Sequence, residues 1–434
     1  MSLNRLDTKL YFVLKKFLNF YIIISNKTMS TNLSFFTPQI KNNNHKYVRL
    51  KPSQAFNNLN EKQFLAYVVG LIESDGLIAV YFTQKTLLLS KNSINKTSLS
   101  WHVSITQNKT SKILPEISQR LNVLGFKNTI QEKGKQQPNC HVLKFGNTKN
   151  ICCFFNKLEQ LFGFLPFLSV KARNVFIMKH LIYNFEKLSL NDIINLVFSF
   201  HKKHQFESDK KVGQREKIMT KLNQTANTNS LVLKQIDKTY QKHQQWIYTQ
   251  LKLNKLAIDP FYLTGLMDGD GSYLTSLKMV ILKDRITKIK TPYCIMDLSV
   301  RLIAGTNDLI VHEVFRQTLD LQTKGSQTKN GASLSLSWTS PDDVQKCLNF
   351  FQIYYPQHAI KQSQFTLLMK LKKICQTGAS AVYFNAINEI SPYLIMWYQI
   401  GDLNNTNNRK RWKTLAEAKK ACLIHLQTFE NEVF

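Results

Sequence analysis

Two aspartates, Asp75 and Asp270, each stand next to last in a copy of one nine-residue motif. The first copy, Val68–Gly76, reads VVGLIESDG, and the second, Leu263–Gly271, reads LTGLMDGDG. The copies are about 195 residues apart. Two copies of so specific a motif in one chain indicate an internal repeat, in which each half of the protein is one copy of the same unit.

The residues in and before each motif predict a helix. Apolar residues recur at helical spacing over Glu61–Val69 and Pro260–Thr264. Each helix also carries small residues four apart, which share one face and allow a second helix to approach closely: Gly70 with Ser74, and Gly265 with Gly269. We therefore predict that the two helices pack on each other. Each would end at a glycine in the left-handed conformation, Gly76 or Gly271.

This packing would bring the two aspartates side by side at helix C-termini, where the helix dipole is already negative. Two carboxylates repel each other there unless a cation lies between them, and ligation by oxygen alone suits Mg²⁺. Metal ions held in this way can activate water, stabilise a pentavalent phosphate and stabilise the leaving oxygen in phosphodiester hydrolysis. The alternative is two ordinary core helices with Asp-Gly turns, which is common for one copy but uncommon for two matched copies.

The repeated motif resembles that of the LAGLIDADG homing endonucleases, in the two-motif, single-chain form. The resemblance implies an α+β fold of two pseudo-symmetric αββαββα repeats, which form a saddle of antiparallel sheets with the motif helices at the interface. It also implies a monomeric, Mg²⁺-dependent endonuclease that cuts double-stranded DNA at a long site, with Mn²⁺ able to substitute. The metal-binding acids fall on Asp75 and Asp270, and backbone oxygens of Ser74 and Gly269 are further candidate ligands.

The resemblance also locates two lysines. PFLSVKARN, Pro166–Asn174, resembles the segment that carries a lysine beside the active site in green-algal chloroplast members, which gives Lys171. The parallel stretch YYPQHAIKQSQ, Tyr354–Gln364, gives Lys361. Preorganised cations of this kind would neutralise charge that develops on the phosphate. Solvated lysines at the start of a helix are the plain alternative.

A glutamine at the end of the second strand positions water around the metals in this family. ITQNKT matches that segment and gives Gln107, whereas the corresponding stretch of the second repeat, LIAGTND, places Gly305 there. The first motif also has Glu73 where aspartate is usual. We assign no metal to Glu73, because this position is not a metal ligand in the family.

Residues of alternating polarity after each motif predict antiparallel strands with one polar face. A twisted ribbon of this kind fits the major groove, where polar side chains read base edges and lysines contact phosphates. The alternative for each residue is a sheet surface that meets only water. The candidate DNA-binding residues are Tyr81, Thr83, Lys85, Ser100, His102, Ser104, Thr129, Gln131, Lys133 and His141 in the first repeat, and Ser276, Lys278, Asp297, Ser299 and Arg301 in the second.

The composition supports a nucleic-acid partner. The chain has 434 residues, enough for two cores, and a formal net charge of +30, which indicates a polyanion. An anionic membrane is the rival partner, but no apolar run reaches the roughly 18–20 residues of a spanning helix. The seven cysteines show no CxxC pair and no histidines at metal-ligand spacing, which indicates reduced thiols rather than zinc.

We divide the chain into five parts: a basic N-terminal extension (1–58), a first repeat (59–200), a polar and basic linker (201–256), a second repeat (257–376) and a C-terminal helical extension (377–434). The linker is expected to contain a helix over Leu231–Leu253. The purpose of the two extensions is not predicted.

Two other functions stay open from the sequence. An intron RNA maturase would use the same scaffold to bind intron RNA without cleavage, although the acids retained in both motifs favour the enzyme. A DNA-binding remnant without activity is favoured only by Gly305. The Lys-, Asn- and Ile-rich composition is typical of AT-rich organellar genes, and the green-algal resemblance favours the chloroplast over the mitochondrion.

Overall fold

The computed structural model describes residues 55–82, 99–132, 139–200, 230–283, 290–305, 308–330, 333–374 and 381–384, together with 286, 416, 417 and 420. Within strands β5 and β6, defined below, the side chains of 276–283 and 290–296 lie outside this description. No helix in the described part of the chain combines the length and the apolar character needed to cross a membrane.

The first repeat has the predicted order of helix, two strands, helix, two strands and helix. Its elements are α1 (Ala55–Asn58), α2 (Glu61–Asp75), β1 (Gly76–Phe82), β2 (Leu99–Asn108), α3 (Ile113–Val123), β3 (Asn128–Glu132), β4 (Cys140–Phe145), α4 (Thr148–Phe162), α5 (Val170–Asn184) and α6 (Leu190–Ser199). The four strands form an antiparallel sheet in the order β1-β2-β4-β3.

The second repeat follows the same plan. It is preceded by the linker helix α7 (Leu231–Lys252), and its own elements are α8 (Pro260–Asp270), β5 (Gly271–Lys283), β6 (Lys290–Gly305), α9 (Leu309–Thr318), β7 (Ser326–Asn330), β8 (Ser333–Trp338), α10 (Pro341–Ile353), α11 (Ala359–Ile374) and β9 (Ala381–Phe384). The sheet order is β5-β6-β8-β7, and β9 pairs with β6. The predicted α+β fold of two αββαββα repeats is confirmed. The second sheet has a fifth strand, β9, which comes from the stretch that we assigned to a helical extension.

The motif helices α2 and α8 pack on each other through two glycines. A β-carbon on Gly70 would overlap the carbonyl oxygen of Tyr262, and one on Gly265 would overlap the carbonyl oxygen of Tyr67. No real side chain fits at such distances, so the predicted close approach of the helices is confirmed. Apolar side chains surround this contact and are fully buried, among them Phe64, Leu65, Val68, Leu71 and Leu263.

The glycines that end the motif helices do not have the predicted left-handed conformation. Gly76 has φ −92° and ψ 157°, and Gly271 has φ −83° and ψ 164°, so both are extended. The reason is that β1 and β5 begin at these residues, without a turn between helix and strand. Glycine is needed for space instead, because a β-carbon on Gly76 would lie 2.5 Å from the carbonyl oxygen of Ile72.

Substitution of either packing glycine should separate the two helices. We expect Gly70→Ala or Gly265→Ala to lower the free energy of unfolding by about 1–3 kcal/mol, because the added methyl group meets backbone that cannot rotate away. Urea denaturation followed by circular dichroism measures the change. Val123→Ala in α3 is the control, since Val123 is 80% exposed and surface substitutions change stability by no more than about 0.5 kcal/mol. Equal stability of all variants would contradict the tight helix contact.

Candidate active site

The two motif aspartates end α2 and α8 on either side of the helix contact. The Asp75 carboxylate lies against Gly269 of the other helix, where a β-carbon would be 3.1 Å from Asp75 Oδ2. Burial and the negative charge of Asp75 raise the pKa of Asp270 to about 7, while Lys171 and Lys361 act in the opposite direction. The repulsion that the sequence predicts between the two carboxylates is therefore present in the fold.

Gln107 holds the first of these carboxylates. It is the next-to-last residue of β2, is only 6% exposed, and donates a hydrogen bond of 2.6 Å from Nε2 to Asp75 Oδ2. The structure thus brings the predicted glutamine to the predicted aspartate. The bond contributes to the orientation of this carboxylate at its helix end.

The second repeat has no glutamine at the equivalent place. The final glycine of the first motif pairs with a residue of β2, and Gln107 follows that residue by two positions. Counted in the same way in the second repeat, the equivalent residue is Ala304. Our assignment of Gly305 is therefore wrong by one residue, because neither residue has a polar side chain that would mark the register in the sequence. Asp270 receives no amide donor from this position, so the two carboxylates differ in their surroundings.

The two predicted lysines donate to backbone carbonyls at the ends of the motif helices. Lys171 Nζ donates to the carbonyl oxygens of Ile72 at 2.5 Å, Glu73 at 2.6 Å and Ser74 at 3.2 Å. Lys361 Nζ donates to the carbonyl oxygen of Gly271. Burial lowers the pKa of both lysines, and the charges of Asp75 and Asp270 oppose this shift. Neither is a free, solvated lysine, so the plain alternative is excluded.

Glu73, which we left without a role, holds the segment before Lys171. Its Oε1 accepts the backbone N–H groups of Leu168 at 2.5 Å and Ser169 at 3.2 Å. Burial raises the pKa of Glu73, and Lys171 opposes the shift. Ser169 in turn caps α5, because its hydroxyl accepts the N–H of Lys171. The acid of the motif therefore positions the start of the helix that carries the lysine.

Asp268 has the same function in the second repeat, and the sequence analysis missed it. Its Oδ2 accepts the N–H groups of Gln357 at 2.7 Å and His358 at 3.0 Å, just before Lys361. It also accepts the hydroxyl of Tyr67, 2.8 Å away on the other motif helix. Burial raises its pKa to about 6. The signal was present in the sequence, since Glu73 and Asp268 are both two residues before a motif aspartate.

Most of the candidate DNA-binding residues share the sheet face on which most side chains are polar. The strand register aligns the side chains of Tyr81, Ser100, His102, Thr129 and Gln131 on the first sheet. In the second sheet Asp297, Ser299 and Arg301 alternate with the buried Leu298, Val300 and Leu302. Ser276 pairs with Asp297, and Lys278 lies two residues further along β5. Thr83, Lys85 and Lys133 lie outside the described residues.

Two of these candidates are corrected by the structure. Ser104 lies in the middle of the sheet and is only 4% exposed, so it does not form part of the open surface. His141 pairs with Gln107 and lies on the opposite face from Thr129. The prediction failed because the sequence does not determine the length of the turn between β3 and β4, which sets the register of this pair. Lys144, which we missed, pairs with both Ser104 and Thr129 and belongs to the outer face.

Comparison with solved structures identifies the fold. No protein-family model matches the chain, and no curated protein matches it. The I-LtrWI LAGLIDADG homing endonuclease bound to target DNA aligns with a TM-score of 0.51 at 14% identity, over 80% of this chain and 99% of that chain. I-SmaMI bound to uncleaved DNA in the presence of calcium ions aligns with a TM-score of 0.50 at 19% identity, over 81% and 100%.

A further structure, the LAGLIDADG meganuclease I-CpaMI bound to uncleaved DNA, gives a TM-score of 0.50 at 14% identity. At such low identity the likeness establishes the architecture. The chain has the fold of the LAGLIDADG homing endonucleases, in the form that joins two repeats in one chain.

The residues at the ends of the motif helices fit a hard divalent cation. They supply only oxygen ligands, which suit Mg²⁺, and burial together with the negative charge of Asp75 raises the pKa of Asp270. Among the described residues no group of three or more His, Cys, Asp or Glu side chains is arranged to hold a metal. The remaining ligands must therefore come from backbone oxygens, water or a bound phosphate.

The raised pKa of Asp270 predicts a dependence of stability on pH. The unfolded chain loses this proton near pH 4, whereas the folded protein retains it up to about pH 7. The contribution of Asp270 to the free energy of unfolding should therefore fall by up to about 4 kcal/mol between these pH values. Comparison of the metal-free protein with Asp270→Asn, by denaturation at pH 4 to 8, measures it.

Glu186→Gln is the control for this measurement, because Glu186 is an exposed carboxylate in a short 3₁₀ turn. It should leave the pH profile unchanged. Parallel profiles for the starting protein and Asp270→Asn would show that the two motif carboxylates do not interact.

Proposed function

We propose that this protein is a site-specific endonuclease that cleaves both strands of DNA, of the intron-encoded homing type. The observation that supports this most strongly is the pair Asp75 and Asp270 at adjoining helix ends, with Lys171 and Lys361 beside them. Two carboxylates brought together at negative helix ends repel each other, and a bound cation would relieve this repulsion. Their retention in both motifs favours a nuclease over a maturase that only binds RNA.

Each residue has a defined task in phosphodiester hydrolysis. Asp75 and Asp270 would hold Mg²⁺, and the backbone oxygens of Ser74 and Gly269 are further candidate ligands, of which the Ser74 oxygen also accepts from Lys171. A bound divalent ion supplies an activated water and stabilises charge on the phosphate and the leaving oxygen. Lys171 and Lys361 place positive charge beside the scissile phosphates, where fixed cations stabilise the transition state more than water does. Gln107, which donates to Asp75 Oδ2, would help to orient this carboxylate for metal binding.

The two sheets are suited to hold the DNA. Each has one face covered by helices and one face on which most described side chains are polar, and a twisted antiparallel sheet fits the major groove. The net charge of +30 adds a large non-specific attraction for phosphates. We propose that the protein acts as a monomer, because one chain contains both repeats and both motif aspartates, and that it works in an organelle.

The two aspartates give the direct test of this function. Asp75→Asn or Asp270→Asn should reduce double-strand cleavage by roughly a hundredfold or more, while binding of the same DNA is retained. Plasmid that carries the intronless form of the host gene is the substrate, and gel shift measures binding. Glu186→Gln is the matched control and should cut normally. Full cleavage by both asparagine variants would overturn the proposal.

Binding through the outer sheet faces predicts a measurable salt effect. Lys144→Ala and Arg301→Ala should each weaken DNA binding and reduce the slope of log affinity against log salt by about 1, if the residue contacts a phosphate. Fluorescence anisotropy at several salt concentrations measures the slope. Lys187→Ala, an exposed lysine in the short 3₁₀ turn away from the sheets, is the control. An unchanged slope in both variants would show that the DNA does not bind to the outer faces of the sheets.

A further inference from the structure

In the backbone just before Lys171, both N–H groups and carbonyl oxygens form hydrogen bonds with side chains from other elements. Glu73 accepts the N–H groups of this segment, as described above. The carbonyl groups are held by α7: His243 Nε2 donates to the Phe167 oxygen at 3.1 Å, and Gln244 Nε2 donates to the Leu168 oxygen at 2.9 Å. The helix that joins the two repeats therefore contributes to the support of the candidate site.

Helix α7 is itself fixed to the helix that carries Lys171. Arg173 Nε of α5 and Asp237 Oδ1 of α7 form an ion pair of 2.6 Å, and the rings of Phe176 and His243 meet edge to face. Ile236 and Ile247 of α7 are buried in the core. These contacts hold α7 along α5, so its polar side chains are presented to the segment before Lys171 in a defined position.

A third support comes from the second repeat. The Asp308 Oδ1 atom accepts the N–H of Val170, the first residue of α5, at 2.9 Å. Asp308 occupies the N-cap position of α9 but makes no side-chain hydrogen bond to that helix. Gly305 makes room for its carboxylate, because a β-carbon on Gly305 would overlap Asp308 Oδ2. A carboxylate at the start of α5 is also favoured by the helix dipole.

The equivalent segment before Lys361 is supported differently. Asp268 accepts its N–H groups, as Glu73 does in the first repeat. The carbonyl oxygen of Pro356, however, accepts from Gln362 of the same helix, α11, at 2.8 Å. His358 Nδ1, rather than a carboxylate from the other repeat, accepts the N–H of Ile360 in the first turn of that helix. Besides Asp268 and Thr264, both on α8, the described side chains that hold this segment belong to the segment itself or to α11.

We propose that Asp308, His243 and Gln244 are positioning residues for Lys171 and that they have no such effect on Lys361. Helix α7 and Asp308 thus support the first active site. This inference rests on the proposed nuclease function. Displacement of a catalytic cation by about 1 Å can reduce a rate by about a hundredfold, so loss of this support should slow the strand cleavage that depends on Lys171.

Strand-specific nicking rates test the proposal. Lys171→Met and Lys361→Met first identify which labelled DNA strand depends on which lysine. Asp308→Ala and Gln244→Ala should then slow the Lys171-dependent strand by about tenfold to a hundredfold, and leave the other strand and the DNA affinity unchanged. Asp308→Asn should restore most of the rate, because its amide oxygen still accepts the N–H of Val170. Gln245→Ala, the exposed neighbour on α7, should have no effect.

A second measurement does not require cleavage. Lys171 Nζ is tied to three carbonyl oxygens, so reductive methylation of the folded protein should label it slowly and label it faster in Asp308→Ala, with Lys361 unchanged. Equal effects on both strands, or on neither, together with an unaltered labelling rate of Lys171, would overturn the positioning role. Absence of cleavage by the starting protein would contradict the nuclease function, and the labelling experiment would still decide the role of Asp308.

Discussion

The close contact of two backbones at Gly70 and Gly265 is the constraint on which the rest of the structure depends. It brings the C-termini of the two motif helices together, and with them the carboxylates that follow. If the helices were separated by one ordinary side chain, Asp75 and Asp270 would lie further apart and would interact more weakly. The same contact aligns the two sheets, since β1 and β5 start directly at the ends of these helices.

The charges at this junction explain why the surrounding polar residues are arranged as they are. Helix ends that are already negative carry two carboxylates, and two lysines offset part of this charge by donating to the last carbonyl groups. Glu73 and Asp268 then hold the segments from which those lysines extend. A bound cation would offset the remaining charge, and it would thereby connect the stability of the fold to the proposed chemistry.

Part of this arrangement could be predicted from the sequence because it is encoded locally. The motif fixes the helices, the small residues that pack and the aspartates, and alternation in polarity fixes the strands. Features that depend on the strand register and on the junction of helix and strand could not be predicted. Two examples are the equivalence of Gln107 in the first repeat to Ala304, rather than Gly305, in the second, and the extended backbone of Gly76. The role of α7 depends on hydrogen bonds to a segment 76 residues away, for which the sequence contains no periodic signal.

The central claim is that one chain cleaves both strands of DNA with metal held between Asp75 and Asp270. The most direct measurement incubates the purified protein, with Mg²⁺ or with EDTA, with plasmid that carries the intronless form of the host gene. We predict one discrete linear product that requires the metal and whose ends map to a single site. DNA binding with no cleavage in the presence of Mg²⁺ or Mn²⁺ would contradict this account.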